Sequence, residues 1–162
     1  MLVRAMRDDE VDATVSVWSA ARSAGGDPPT AARVARVREK LAEPGVIVRV
    51  AEQDGRIAGM LLAEPGRADD GAGAALPWLI HVSMLFVDPA ARRSGMGQAL
   101  LRHLFEEARR RGTILVGLWT NVDNAPARRL YESVGMTATR IRQLSPNRRW
   151  VRYEWSPLDD RR

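Results

Sequence analysis

Val11, Val15, Trp18 and Ala21 recur at helical intervals behind two acidic cap candidates, Asp8 and Asp9, and predict a helix over residues 8–22. Asp27, Pro28, Pro29 and Thr30 break the pattern and supply a fresh cap. Val34, Val37 and Leu41 then mark the inner face of a second helix ending near Pro44 and Gly45. From there the period changes. Residues 46–53 are rich in β-branched side chains, Asp54 and Gly55 form a favoured two-residue hairpin turn, and residues 56–64 return as the partner strand. Residues 65–76 are rich in Gly, Ala and Asp without periodicity, which predicts a mobile loop.

Trp78 to Val87 is a nearly unbroken apolar run suited to a central strand. Gly97, Leu101, Leu104, Phe105 and Ala108 line a third helix that Gly112 ends. Residues 113–119 read as another buried strand, and residues 125–134 as a fourth helix closed by Gly135. Residues 136–144 pair with residues 149–155 across Ser145, Pro146 and Asn147. The predicted order is helix, helix, hairpin, strand, helix, strand, helix, hairpin. Such an order calls for a mixed α/β sheet with helices on both faces.

Composition narrows the classes. A chain of 162 residues, 45% apolar and 28% charged, is expected to form one globular domain over residues 1–162. Without cysteine, only His81 and His103 remain as imidazole ligands, which argues against a metal centre. Residues 1–10 turn acidic without a signal-like apolar run, and no stretch reaches the ~20 apolar residues of a membrane helix. A cytoplasmic location without membrane contact is therefore expected. The net charge is +5, and Lys40 is the single lysine among 25 basic residues. The arginines are interleaved with acids rather than gathered in a stripe, so no nucleic-acid surface is expected.

The most informative stretch is Leu85-Phe86-Val87-Asp88-Pro89-Ala90-Ala91-Arg92-Arg93-Ser94-Gly95-Met96-Gly97-Gln98. A strand running through a glycine-bearing loop into a helix leaves backbone N–H groups aimed at one point, with the positive end of the helix dipole behind them. That arrangement favours a phosphate or pyrophosphate. The Walker loop, with its Gly-Lys-Ser/Thr, is absent, and the dinucleotide fingerprint lacks its third glycine because Leu100 stands there.

The spacing Arg92-x-x-Gly95-x-Gly97 is similar to the acetyl-CoA signature of the GNAT N-acetyltransferase superfamily. Asn124-Ala125-Pro126-Ala127-Arg128-Arg129-Leu130-Tyr131-Glu132-Ser133-Val134-Gly135-Met136 resembles the family's second element, with Met136 in place of the usual aromatic residue. The hairpin from Ala51 to Gly59 resembles the family's second and third strands, so the likeness runs from about residue 2 to residue 155. It implies a GNAT-like mixed, mostly antiparallel sheet of about six to seven strands, with helices on both faces and a V-shaped splay between two central strands.

The resemblance also implies a chemistry: transfer of an acetyl group from acetyl-CoA, a co-substrate, to a primary amine by direct attack in a ternary complex. Leu85, Phe86 and Val87 would meet the pantetheine arm. Arg92, Arg93, Ser94, Gly95, Met96, Gly97 and Gln98 would hold the pyrophosphate, with Asn124 and Arg128 fixing the cofactor or its helix. Tyr131 would protonate the departing thiolate. The family's strand glutamate has no counterpart, since no acid lies between Asp70 and Asp88. His81 and Ser83 share one strand face, and His81 is either the proton acceptor or a buried, satisfied histidine. The acceptor, a small-molecule or peptide amine, would sit by the first two helices and the last hairpin, where Trp18 and Trp150 offer walls. Proteins of this kind often pair as homodimers. A non-catalytic acyl-CoA sensor is the alternative reading.

Overall fold

In the computed structural model, residues 1–161 are described, and their elements follow the hydrophobic pattern closely. Strand β1 (Leu2–Ala5) precedes helices α1 (Val11–Ala24) and α2 (Ala31–Leu41). Strands β2 (Ile47–Gln53), β3 (Arg56–Arg67) and β4 (Ala75–Val87) lead to α3 (Met96–Arg110). Then come β5 (Leu115–Asn121), α4 (Ala125–Ser133), β6 (Thr137–Ser145) and β7 (Arg148–Trp155). The seven strands are hydrogen-bonded in the order β1-β2-β3-β4-β5-β7-β6. β1–β2, β2–β3, β5–β7 and β6–β7 pair antiparallel, while β4–β5 is parallel. The sheet is thus mixed and mostly antiparallel, as expected. Among the described residues, no helix is long and apolar enough to cross a membrane.

The chain divides into two compact units: residues 1–64 with 83–103, and 65–82 with the residues from Leu104 onward. In the first, Val15, Val17 and Trp18 of α1 and Leu41 of α2 bury against Val48, Met60 and Leu62 of β2 and β3. Thr30 caps α2, its hydroxyl accepting from the Arg33 N–H. Asp54 (φ 53°) and Gly55 (φ 72°) both take the left-handed conformation that a type I′ turn requires. In the second unit, Phe105 stacks on Trp155 with ring centroids 4.0 Å apart. Tyr153, fully buried on β7, lies against Tyr131 of α4 at 5.5 Å.

The fold departs most from the hydrophobic pattern at β1 and at the connection between β3 and β4. β1 has no sequence signal, because four residues are too few to display a period; it is fixed by pairing with β2 and by Arg4, which reaches Glu10 at 2.7 Å and Glu52 at 2.8 Å. The loop expected over residues 65–76 is also shorter. β3 continues to Arg67 and β4 begins at Ala75, so the connection shrinks to residues 68–74. Ala68 N–H to Ala74 C=O (2.9 Å) and Gly73 N–H to Ala68 C=O (2.8 Å) hold that turn closed. Cross-strand hydrogen bonds thus impose strand structure on a segment of weak local propensity.

Candidate active site

The first unit carries the glycine-bearing loop. Asp88 ends β4 and anchors it: its N–H donates to Ala58 C=O at 2.7 Å, and its carboxylate accepts from the Ala90 N–H and from Arg56, both at 2.9 Å. Those partners hold the Asp88 carboxyl below the usual carboxylate range, the Ala90 N–H contributing most. The chain then turns through two left-handed residues, Arg93 (φ 62°) and Gly95 (φ 79°), before α3 starts at Met96. A non-glycine residue in that region is uncommon, so the loop spends conformational energy on its shape. The Ser94 hydroxyl donates to Ala91 C=O at 2.6 Å and stiffens the turn.

At the start of α3 the Ala99 N–H donates to Gly95 C=O at 3.0 Å, tying the loop's last residue to the first turn of the helix, whose N-terminal end points its amides toward the loop. Met96 and Gly97 are buried, while Arg92, Arg93 and Ser94 are exposed. Backbone donors, the helix dipole and two exposed guanidinium groups suit an anion such as a pyrophosphate. Leu85, Phe86 and Val87 on the approaching strand are half-buried, with Phe86 packed against the core cluster of this unit.

The second unit carries Tyr131. It is 8% exposed on α4, and burial followed by the neighbouring Tyr153 pushes its hydroxyl up to about 12. Tyr131 therefore keeps its proton at any physiological pH. Asn124 is the N-cap of α4, its carbonyl accepting from Ala127 N–H at 3.3 Å. Arg128 donates to the Tyr153 hydroxyl and to Val122 C=O, each at 3.0 Å, and Tyr153 donates in turn to Glu132 at 2.7 Å. The chain Arg128–Tyr153–Glu132 fixes α4, and with it Tyr131, on β7. Nothing in the sequence singles out Tyr153, which looks like any strand tyrosine. His81 is half-buried on β4, opposite Gly117 in the parallel ladder. Trp150 is half-buried on β7, with the Arg148 guanidinium 5.9 Å from its ring centroid.

The other expected residues lie in the first unit. Ser83 is exposed and donates its hydroxyl to Glu64 of β3 at 2.8 Å. Lys40 of α2 meets the same carboxylate at 2.9 Å. A cleft of about 330 Å³ opens here, lined by Trp18, Arg33, Arg36, Val37, Lys40, Ser83 and Met84. Trp18 borders this cleft, though the residue is 4% exposed and mostly core. Glu64 is a carboxylate that no reading along β4 alone could find, because it reaches Ser83 from the preceding strand.

The first unit thus carries a strand, a glycine-bearing loop and a following helix suited to an anion, and the second a buried phenol on α4. The acetyltransferase (GNAT) family matches residues 6–136, and the chain belongs to that family. Over 57 residues, 35% of this chain, it is 44% identical to ribosomal protein bS18-alanine N-acetyltransferase of Escherichia coli. Over 89 residues, 55% of the chain, it is 42% identical to mycothiol acetyltransferase of Thermomonospora curvata. Those stretches span 38% and 26% of the two relatives. In fold, the chain is similar to the solved structure of ribosomal-protein-S18-alanine N-acetyltransferase from Escherichia coli, with TM-score 0.77 and 20% identity, covering 96% of this chain and 92% of that one.

Proposed function

We propose that the whole chain acts as one acetyl-CoA-dependent N-acetyltransferase domain whose acceptor is a primary amine. Tyr131 supports this reading: a buried phenol on α4 that keeps its proton at neutral pH has one to give to a departing thiolate and is no base itself. The loop from Arg92 to Gln98 would hold the pyrophosphate of the co-substrate, and Leu85 to Val87 its pantetheine arm.

An alkyl amine has a pKa near ~10.4, so about one molecule in a thousand is nucleophilic at neutral pH. The ammonium first gives a proton to His81, an imidazole being the side chain most used as a general base near neutral pH. The freed nitrogen attacks the thioester carbonyl, a C–N bond forms and the C–S bond breaks. The sulfur takes the Tyr131 proton, and the phenol is restored by the second proton leaving nitrogen. Ser83, held by Glu64, orients the acceptor. Asn124 and Arg128 keep α4 in place.

The test is Tyr131→Phe. Turnover is expected to fall about 10²- to 10⁴-fold while acetyl-CoA affinity holds. Full turnover in the variant would overturn the enzyme mechanism, and an acetyl-CoA-binding wild type that acetylates no amine would point to a sensor instead.

A further inference from the structure

Arg33, Arg36, Val37 and Lys40 stand at i, i+3, i+4 and i+7 on one face of α2, and all four line the cleft of about 330 Å³. Trp18, Met84 and Val37 give it apolar surface. Its cations are not equivalent. Arg33 meets both oxygens of Asp27 at 3.2 and 3.3 Å and lies 6.0 Å from the Trp18 ring centroid. Lys40 is shared between Glu64 at 2.9 Å and Glu43 at 3.4 Å. Arg36, exposed at the same wall, has neither a hydrogen bond nor an ion pair among the described residues. The one carboxylate bonded to a cleft wall from β3, Glu64, already accepts from both Ser83 and Lys40.

A plain alkylammonium ion entering this cleft meets one uncompensated cation and no uncommitted acid. A molecule that also carries a negative group cancels that repulsion and satisfies the one guanidinium fork left over. With a single uncompensated cation, a monoanion matches the charge, whereas a phosphate dianion would leave one negative charge unpaired. A volume near the low end of the ~300–1,000 Å³ typical of ligand sites admits an amino-acid-sized molecule rather than a folded partner. We propose that the acceptor is a small amine bearing a carboxylate and an apolar or aromatic portion, and that Arg36 selects it. This rests on the acetyltransferase reading above.

The experiment compares acetylation of phenylalanine, tryptophan and aminomethylbenzoate with that of their carboxamides, in the wild type and in Arg36→Gln and Arg36→Lys. Gln keeps the helix propensity of Arg, so the exposed change leaves α2 intact. The wild type should prefer at least one acid over its amide by roughly tenfold or more in kcat/KM, through KM, as loss of a charge-assisted hydrogen bond implies. Arg36→Gln should abolish that preference and Arg36→Lys should restore part of it. Equal use of acids and amides, or a preference untouched in Arg36→Gln, overturns the proposal while leaving the acetyltransferase reading standing. Calorimetry of unreactive hydrocinnamate decides the cleft without turnover: binding lost in Arg36→Gln upholds the carboxylate site, and no binding, or equal binding in both, sinks it. Tighter binding of phenylphosphonate than hydrocinnamate would overturn the carboxylate assignment. Should acetyl-CoA leave the melting temperature unmoved, the acetyltransferase reading fails separately.

Discussion

Gly59→Ala couples the sheet to the mouth of α3. Gly59 is buried on β3, paired with Ala51 of β2. A Cβ there would lie 2.7 Å from Met96 Sδ, 2.9 Å from Met96 Cγ and 3.2 Å from Leu100 Cδ1. Met96 is 1% exposed and Leu100 not at all, so neither can swing into solvent. Two effects then oppose each other. A roomy glycine site replaced by alanine gains about 0.4–1 kcal/mol, because the unfolded chain loses freedom. Overpacking a closed core costs about 1–3 kcal/mol, and contacts below 3 Å on an immobilised side chain belong to that class. The net is a loss of roughly 1–2 kcal/mol, or about 2–8 °C in melting temperature for a chain of this size. Since Met96 opens α3, its displacement shifts the amides beside Gly95 and should weaken acetyl-CoA several-fold. Calorimetric melting and acetyl-CoA titration measure the two effects. Adding Met96→Ala makes room, so in that background Gly59→Ala should be neutral or stabilising. A Gly59→Ala protein that melts at or above the wild type and binds acetyl-CoA normally would refute the packing argument.

Two further outcomes are expected in the second unit. Tyr153→Phe removes the acceptor of the Arg128 N–H and the donor to Glu132; because Glu132 is exposed and regains water, the loss should be about 1–2 kcal/mol in urea unfolding, with turnover reduced more than acetyl-CoA affinity because Tyr131 loses its registration. Both tyrosines of the chain, Tyr131 and Tyr153, have raised hydroxyl pKa values, chiefly through burial, so the folded state keeps phenol protons that the unfolded chain releases near 10. Their contribution to stability is complete below pH 10 and drains away as pH rises toward the Tyr131 value of about 12. Ultraviolet titration of tyrosinate should show almost no ionisation in the native protein at pH 10; a native midpoint there would contradict the burial of Tyr131.

How far the sequence discloses this fold depends on where each element gets its order. α1, α2 and α3 carry their own apolar stripes, and the Asp54–Gly55 turn states its geometry in two letters, so these are legible from the residues alone. β1 owes its strand conformation to a neighbour far along the chain, and residues 65–67 and 75–77 extend their strands to a turn closed between Ala68 and Ala74; no local pattern announces either. β5 shows an intermediate case. Its apolar content is clear, but its bounds lie two residues later than expected, at Leu115–Asn121, because pairing with β7 through Asn121 opposite Trp150 sets the register rather than the start of the apolar run.

The same distinction governs the site. The glycine-bearing loop is contiguous, so residues 92–98 can be read as a unit; the residues of the proposed proton chemistry are not. A linear motif would put the base on β4, where only His81 and Ser83 offer themselves. In the folded chain Ser83 points its hydroxyl proton at Glu64, nineteen positions earlier, and Glu64 is balanced in turn by Lys40 from α2. A carboxylate so engaged by a cation and a hydroxyl is a fixed acceptor of hydrogen bonds rather than a roaming base. On the proposed mechanism this suits Ser83 to orientation and His81 to proton acceptance. It also explains why Lys40, the chain's single lysine, adds no free charge to the cleft: the selection of an acceptor by charge falls to Arg36, a residue that sequence alone does not tell apart from the other arginines.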